Sequence, residues 1–350
     1  MTEAPRHAAP GLAARALPGE AGIVLPAAPH GFSAPVAAPS PRSALPERLY
    51  RALTAGAAWL VLLTLIAVTV SMAVGGRLAF QTFGLGFITS ADWDVVNGQF
   101  GAFVPICGTL VTSAIALIIA VPVSLGIALF LTDIAPVWSR QPIAVAIELL
   151  AAVPSIIYGM WGLFLFAPFM ATHVEPWVND TLGALPLVGP LFAGPPIGIG
   201  MLTAGIVLGI MVVPFIASVA RDVLGAVPAA LRESAVALGA TRWEILRHVS
   251  LPYTRSAIVG AIFLGLGRAL GETMAVTFVL GNAHDLSVSL LMPSNSIAAA
   301  IANEFTEADT DLYRSSLIAL AFLLFIVTFI VLSLAKLMLA RMDRSLGRTH

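Results

Sequence analysis

Three ionisable residues, Glu148, Arg268 and Glu272, lie inside otherwise apolar runs. A charge at the centre of a bilayer costs roughly 2.5–3.5 kcal/mol on insertion scales, so such residues face one another or a wet path. Arg268 and Glu272 are four residues apart, so they are expected to share one helical face, about 6 Å apart along the axis. Gly267 and Gly271 form a small-xxx-small pair beside them, which lets a neighbouring helix approach closely. Two chemistries fit these residue types. Either the charges form a structural ion pair locking the third and fifth apolar runs, or they line a substrate path. In the second case Arg268 offers its planar fork of donors to an oxyanion, with Glu272 and Glu148 beside it.

The elements that must hold these charges follow from composition. Hydrophobic residues make up 58% of the 350-residue chain and charged residues 11%, with a mean hydropathy of +0.94. A soluble domain carries about 25% charged residues, so lipid is the expected solvent here. Apolar runs at 55–75, 104–131, 142–170, 197–219, 256–281 and 314–340 each reach the roughly 20 residues that a membrane helix needs. Pro122, Pro154 and Pro214 fall inside them, which membrane helices tolerate when neighbours satisfy the freed carbonyl. The fold class expected is an all-α, polytopic bundle of about six transmembrane helices.

Several functions are excluded or disfavoured by the same composition. A net charge of −1 is not the basic footprint of a nucleic-acid binder. The single cysteine, Cys107, rules out an internal disulfide, and no histidine or cysteine spacing suggests a metal site. A phosphate-binding GxxxxGK[ST] loop requires a lysine, and the one lysine, Lys336, stands in Leu334-Ala335-Lys336-Leu337. If ATP drives this protein, another polypeptide must bind it.

Four segments are expected. Residues 1–50, with nine prolines in the first 46, read as a disordered tail. Residues 51–103 hold the first membrane helix and an external loop, 104–340 form the core, and 341–350 are a second tail. Arginine and lysine set the orientation. With both termini cytoplasmic, and the long first tail left out, the inside segments hold ten basic residues against Arg77 and Arg314 outside. Acidic residues Asp285, Glu304, Glu307, Asp309 and Asp311 gather in one external loop and read as a solvated face. Trp138, Trp177 and Tyr313 read as interfacial anchors, and Cys107 as a small buried hydrophobe.

The cytoplasmic segment 221–254 carries the most specific pattern. Pro228 suits the first turn of a helix and Gly239 its C-terminal stop. Thr241-Arg242-Trp243-Glu244 then fits a capping box that opens a second short helix, ended by Pro252. Glu233-Ser234-Ala235, three residues, Gly239, nine residues and Val249-Ser250-Leu251-Pro252 resemble the EAA loop of ABC importer permeases. Ser234 and Val249 depart from that pattern conservatively, standing where alanine and isoleucine are usual.

Three further stretches sharpen the resemblance. They are Phe87 to Trp93, Ala152-Val153-Pro154-Ser155-Ile156-Ile157-Tyr158-Gly159, and Gly267-Arg268-Ala269-Leu270-Gly271-Glu272-Thr273 with its continuation through Phe278. They are similar to the PstC family of phosphate-specific ABC permeases, from about residue 80 to the end of the last run. The resemblance implies a type I ABC importer fold in the bacterial inner membrane and no activity as an enzyme. It implies a role in phosphate passage for Arg268 and Glu272, and an ATPase joint at Glu233, Ser234, Ala235, Gly239 and Pro252. The implied partners are a PstA-like sister permease, a homodimeric PstB-like ATPase that binds the ATP, and a periplasmic PstS-like phosphate-binding protein. A permease for sulfate or molybdate remains an alternative. So does a proton-coupled carrier with Glu148 and Glu272 as its relay, and so does a membrane scaffold that moves nothing.

Overall fold

The computed structural model describes residues 44–346, with side chains for 46–341, in two compact units, Met1–Leu60 and Val61–His350. Residues 1–43 of the expected tail and 347–350 lie outside the described residues, while 44–50 already belong to a helix, Ala44–Gly75. In the first unit that helix exposes Leu49, Leu53, Trp59 and Leu60, an apolar surface that suits hydrocarbon and not water. Among the described residues, six helices are long and apolar enough to cross a membrane: Pro46–Gly75, Phe103–Ile134, Ser155–Thr181, Met201–Gly225, Arg242–Leu270 and Asp311–Arg341. The expected count of six holds.

Within the second unit the core forms where the second and fourth spans cross. Gly205 of the fourth span lies so close to Ile115 that a Cβ would stand 2.6 Å from it. Two turns further along, the buried Ser124 hydroxyl donates to the Val213 carbonyl at 2.9 Å. These groups sit beside Pro122 and Pro214, both of which lie inside unbroken helices. Gly265 gives the fifth span the same close approach to Ile216. Gly75 and Gly76 do so for Ile318 and Ala319 of the sixth.

Two of the expected runs are not single helices. The run at 142–170 breaks at Val153-Pro154, leaving a helix Val137–Ala151 and a third span that starts at Ser155. The cause is local, because proline pushes the residue before it away from helical dihedrals. The run at 256–281 breaks at Gly271–Thr273, between helices Leu251–Leu270 and Met274–Leu280. The second short helix expected after Gly239 is also not short. Its capping box is present, with Glu244 N–H to Thr241 Oγ1 at 3.3 Å and Thr241 N–H to Glu244 Oε2 at 2.8 Å. Pro252 does not end it, because a π-turn at Leu246–Ser250 directly precedes the proline and the helix continues into the fifth span. Widening the ladder there accommodates the ring and the missing donor.

The end of the bundle away from 226–241 is closed by a two-stranded ribbon, Trp93–Asp94 with Gln99–Phe100, and a helix Ile297–Glu304. Glu304 is the hub. It accepts from Trp93 Nε1 at 2.8 Å and Tyr313 Oη at 2.7 Å, and His284 Nε2 lies 2.7 Å from its other oxygen. The expectation of a solvated acidic loop therefore fails for Glu304, and Tyr313 is a buried hydrogen-bond donor, not an interfacial anchor. Both corrections have one cause. Residues 93, 284, 304 and 313 are far apart in sequence, and only the tertiary fold brings them together.

Two outcomes are expected. Gly205→Leu forces a side chain into Ile115, and overpacking of this kind costs about 1–3 kcal/mol; its thermal midpoint in detergent falls, and an unchanged midpoint contradicts the crossing described. Burial pushes the Glu304 carboxyl up, but the bonds from His284, Tyr313 and Trp93 outweigh it and hold the group below the ordinary glutamate value. A depressed carboxylate contributes stability that is complete above about pH 4.3 and is lost as pH falls through the lower folded value. Glu304→Gln is therefore less stable than wild type at pH 7, and the gap narrows on acidification below that value. A gap independent of pH sinks the assignment.

Candidate functional site

The charges singled out by sequence do not come together as one ion pair. Arg268 occupies the last turn of the fifth span, and the helix ends two residues later at Leu270. Gly271 and Thr273 leave the helical path, so Glu272 is not one turn above Arg268 on a shared face. Glycine has low helical propensity, and here it ends the helix that the even apolar pattern had suggested was continuous. Among the described residues, no ion pair includes Arg268 or Glu272. Glu272 instead turns to the restarted helix, where its Oε1 accepts the Ala275 N–H at 3.4 Å.

Arg268 is exposed in the isolated chain, with its guanidinium 5.9 Å from the ring centre of Phe215 on the fourth span. That separation is within cation–π range. Its charge also acts on the buried Tyr158 of the third span, whose hydroxyl donates to the Leu150 carbonyl at 3.0 Å. The fourth and fifth spans thus meet at a cation with no acidic partner among the described residues. Gly267 lies in ordinary contact with Leu332, and Gly271 meets only the carbonyl of Gly267. The glycine pair thus meets the sixth span at Leu332 alone, and its Gly271 face is open.

Glu148 lies elsewhere. It sits on the Val137–Ala151 helix and pairs with Arg221 at 2.9 Å, at the end of the fourth span that leads into the 226–241 segment. Arg221 also holds Asp222 at 2.8 Å. Glu148 is therefore neither deep in a span nor paired across to the fifth, because the break at Pro154 removes its helix from the third span. Sequence reading counted Arg221 only as a loop charge. It also missed Glu175, which is fully buried on the third span and accepts the Gly198 N–H at 2.8 Å. No local signal marks either pairing, since the partners are 73 and 23 residues away.

The first helix of the 226–241 segment and its stop have the expected form. Helix Ala229–Ala237 follows Pro228 and ends in a Schellman arrangement, with Ala240 N–H to Ala235 O at 3.0 Å and Gly239 N–H to Val236 O at 2.9 Å. Gly239 has φ +85°, a conformation that favours glycine. None of the side chains of this helix is buried. Glu233, Ser234, Val236, Leu238 and Gly239 are exposed, Ala235 is half-buried and Pro252 is exposed at the start of the long helix. Leu238 is 89% exposed, an apolar side chain presented at the tip of the elbow.

With this geometry in place, comparison with known proteins is informative. Residues 121–344 match the family described as binding-protein-dependent transport system inner membrane component. A protein of Xylella fastidiosa (strain Temecula1) named phosphate transport system permease protein PstC is 56% identical over 306 residues, covering 87% of this chain and 94% of that one. Its counterpart in Mesorhizobium japonicum is 53% identical over the same coverage. Among solved structures, a bacterial ABC transporter for import of the acidic polysaccharide alginate is 18% identical, covering 84% of this chain and 99% of that one with a TM-score of 0.49. An all-α bundle of six apolar helices, a capped elbow that buries nothing of its own and relatives of this identity lead to one conclusion: the chain belongs to the binding-protein-dependent ABC importer permeases, in their PstC family.

Proposed function

We propose that this chain is the membrane-spanning permease subunit of an ATP-driven inorganic phosphate importer, forming half of the translocation path. The observation that carries the reading is the Ala229–Ala237 helix. It is pre-formed and capped, exposes Glu233, Val236 and Leu238, and buries no side chain in its own chain. An element of that kind is built to dock on another polypeptide. Relatives named as phosphate transport permeases support phosphate as the anion over sulfate or molybdate.

The partners follow from what the chain lacks and exposes. ATP binds to a separate homodimeric ATPase at the elbow, where the turn at Gly239 permits close approach and Glu233 meets basic groups. A sister permease covers the open face at Gly271 and Arg268, and an external phosphate-binding protein delivers substrate to the opposite end. Both termini and the elbow lie on the cytoplasmic side of the inner membrane, as the arginine bias supports. This chain itself needs no cofactor and is not an enzyme.

In this scheme Arg268 acts as a mid-path cation. Its donors are not engaged by a carboxylate, so an oxyanion passing the break at Gly271–Thr273 meets a free planar fork. Glu272, held to the next helix start, keeps a negative charge nearby that shortens the residence of the anion. A proton relay from Glu148 to Glu272 has no support, since Glu148 is held by Arg221.

Phosphate uptake by the reconstituted complex requires ATP and survives a proton uncoupler; uptake that runs without ATP and collapses with the uncoupler overturns the reading. Arg268→Gln abolishes uptake while the subunits still co-purify, and a variant that transports at the normal rate removes Arg268 from the path. Glu233→Lys lowers ATPase co-purification or phosphate-stimulated hydrolysis by about tenfold, the loss expected for a charge-assisted contact worth roughly 1.4 kcal/mol. Normal values for both count against the docking site.

A further inference from the structure

A nine-residue helix that buries none of its side chains is marginal by itself, so whatever fastens it to the spans decides what its movement can do. Pro228 and the buried Val227 make the covalent entry from the fourth span. The side-chain fastening is Arg232. Its Nη2 donates to the Leu224 carbonyl at 2.7 Å, in the last turn of the fourth span. Its Nη1 lies 3.4 Å from Asp133 Oδ1. One planar cation thus joins the coupling helix to two different spans.

Each half of this joint has a physical basis. Carbonyls in the last turn of a helix lack intrahelical donors, and a cation there is also favoured by the helix dipole. Asp133 belongs to a π-turn, Phe130–Ile134, that ends the second span. A π-turn holds one extra residue and so rotates the residues beyond it by about 100° relative to regular helix. Asp133 is the fourth residue of that turn, and its carboxylate faces Arg232 of the coupling helix. The two side chains are 27% and 24% exposed, and the Arg232 Nε is buried with no hydrogen-bond partner. The guanidinium is pinned, not waving in solvent.

The adjoining cleft is not an anion site. The other guanidiniums that line it are engaged, Arg140 with the Ala135 carbonyl at 2.8 Å and Arg221 with Glu148 and Asp222. Its charges are arranged as ties between helix ends.

We propose that Arg232 is the strut through which displacement of the coupling helix is passed to the second and fourth spans. It is a positioning residue, distinct from the docking residues Glu233, Ala235 and Gly239. The role rests on the ATP-driven reading given above. Without the strut the helix still docks and the ATPase still turns over, but the spans no longer move with it.

The test uses the complete complex with its phosphate-binding protein in proteoliposomes, comparing wild type with Arg232→Ala, Arg232→Lys and Asp133→Asn. Four quantities are read: subunit co-purification, basal ATP hydrolysis, the increment added by phosphate-loaded binding protein, and phosphate uptake. Arg232→Ala is expected to keep the first two and lose about tenfold in the last two, the scale of one charge-assisted joint. Arg232→Lys recovers part of the loss, because a point-like ammonium meets Asp133 or the Leu224 carbonyl but does not span both. Asp133→Asn loses less than Arg232→Ala. A stimulated wild type with an equally stimulated Arg232→Ala overturns the strut alone. Loss of co-purification and basal hydrolysis, with lysine no better than alanine, also overturns it by making Arg232 a purely structural residue. A wild-type complex that phosphate-loaded binding protein does not stimulate overturns the importer reading, and the strut with it.

Discussion

Within hydrocarbon no water is present to satisfy a backbone donor or acceptor, and every other feature of this molecule is arranged around that constraint. The second and fourth spans show how it is met. Pro122 and Pro214 each remove a helix donor, yet both helices run on through them. The Ser124 hydroxyl donates to the Val213 carbonyl where the two proline-bearing helices cross, a bond between helices beside the prolines and not at the Ile118 and Ile210 carbonyls that the prolines leave free. Small residues at the crossing, Gly205 above all, let the backbones come near enough for that bond to form. Packing and hydrogen bonding are therefore one device here.

The same constraint gives meaning to the place where the ladder is interrupted. Non-helical backbone at membrane depth is tolerated where it is buried in protein or lines a wet cavity. The break at Gly271–Thr273 is repaired locally, by Glu272 on the Ala275 N–H and by Thr277 N–H on the Thr273 carbonyl at 2.9 Å. It leaves Arg268 exposed, with its guanidinium 5.9 Å from the ring centre of Phe215. Among the described residues that cation has no acidic partner, and this is the feature that the two-subunit path proposed above draws on.

Much of this was legible in the residues, and the failures share a cause. Six apolar runs became six helices because burial in lipid depends on composition alone. The capping box at Thr241 and the stop at Gly239 were readable because each is closed within a few residues. What misled was assuming that an apolar run is one helix. Pro154 and Gly271 end helices in the middle of such runs, and this displaced Glu148 and separated Arg268 from Glu272. The Glu304 hub and the Glu148–Arg221 pair were not readable at all, since each joins residues that only the fold makes neighbours. The π-turns belong to the same class, because the extra residue is admitted by tertiary contacts and not by a local signature.

One consequence concerns how distant events are joined. The fifth span runs without interruption from Arg242 to Leu270, 29 residues, so its ends lie about 43 Å apart at 1.5 Å per residue. Its first turn is the capping box of the coupling elbow, and its last turn carries Arg268. A helix of that length bends little, and the one place along it where the ladder departs from α geometry is the π-turn Leu246–Ser250, close to the elbow. On the importer reading proposed above, a displacement of the elbow therefore divides there. It tilts the long segment beyond the π-turn, which carries Arg268 with it, while the Pro228 entry pulls on the fourth span, which carries Phe215. Because Arg268 faces the Phe215 ring at 5.9 Å across those two spans, a relative tilt of the spans would change the surroundings of the cation first.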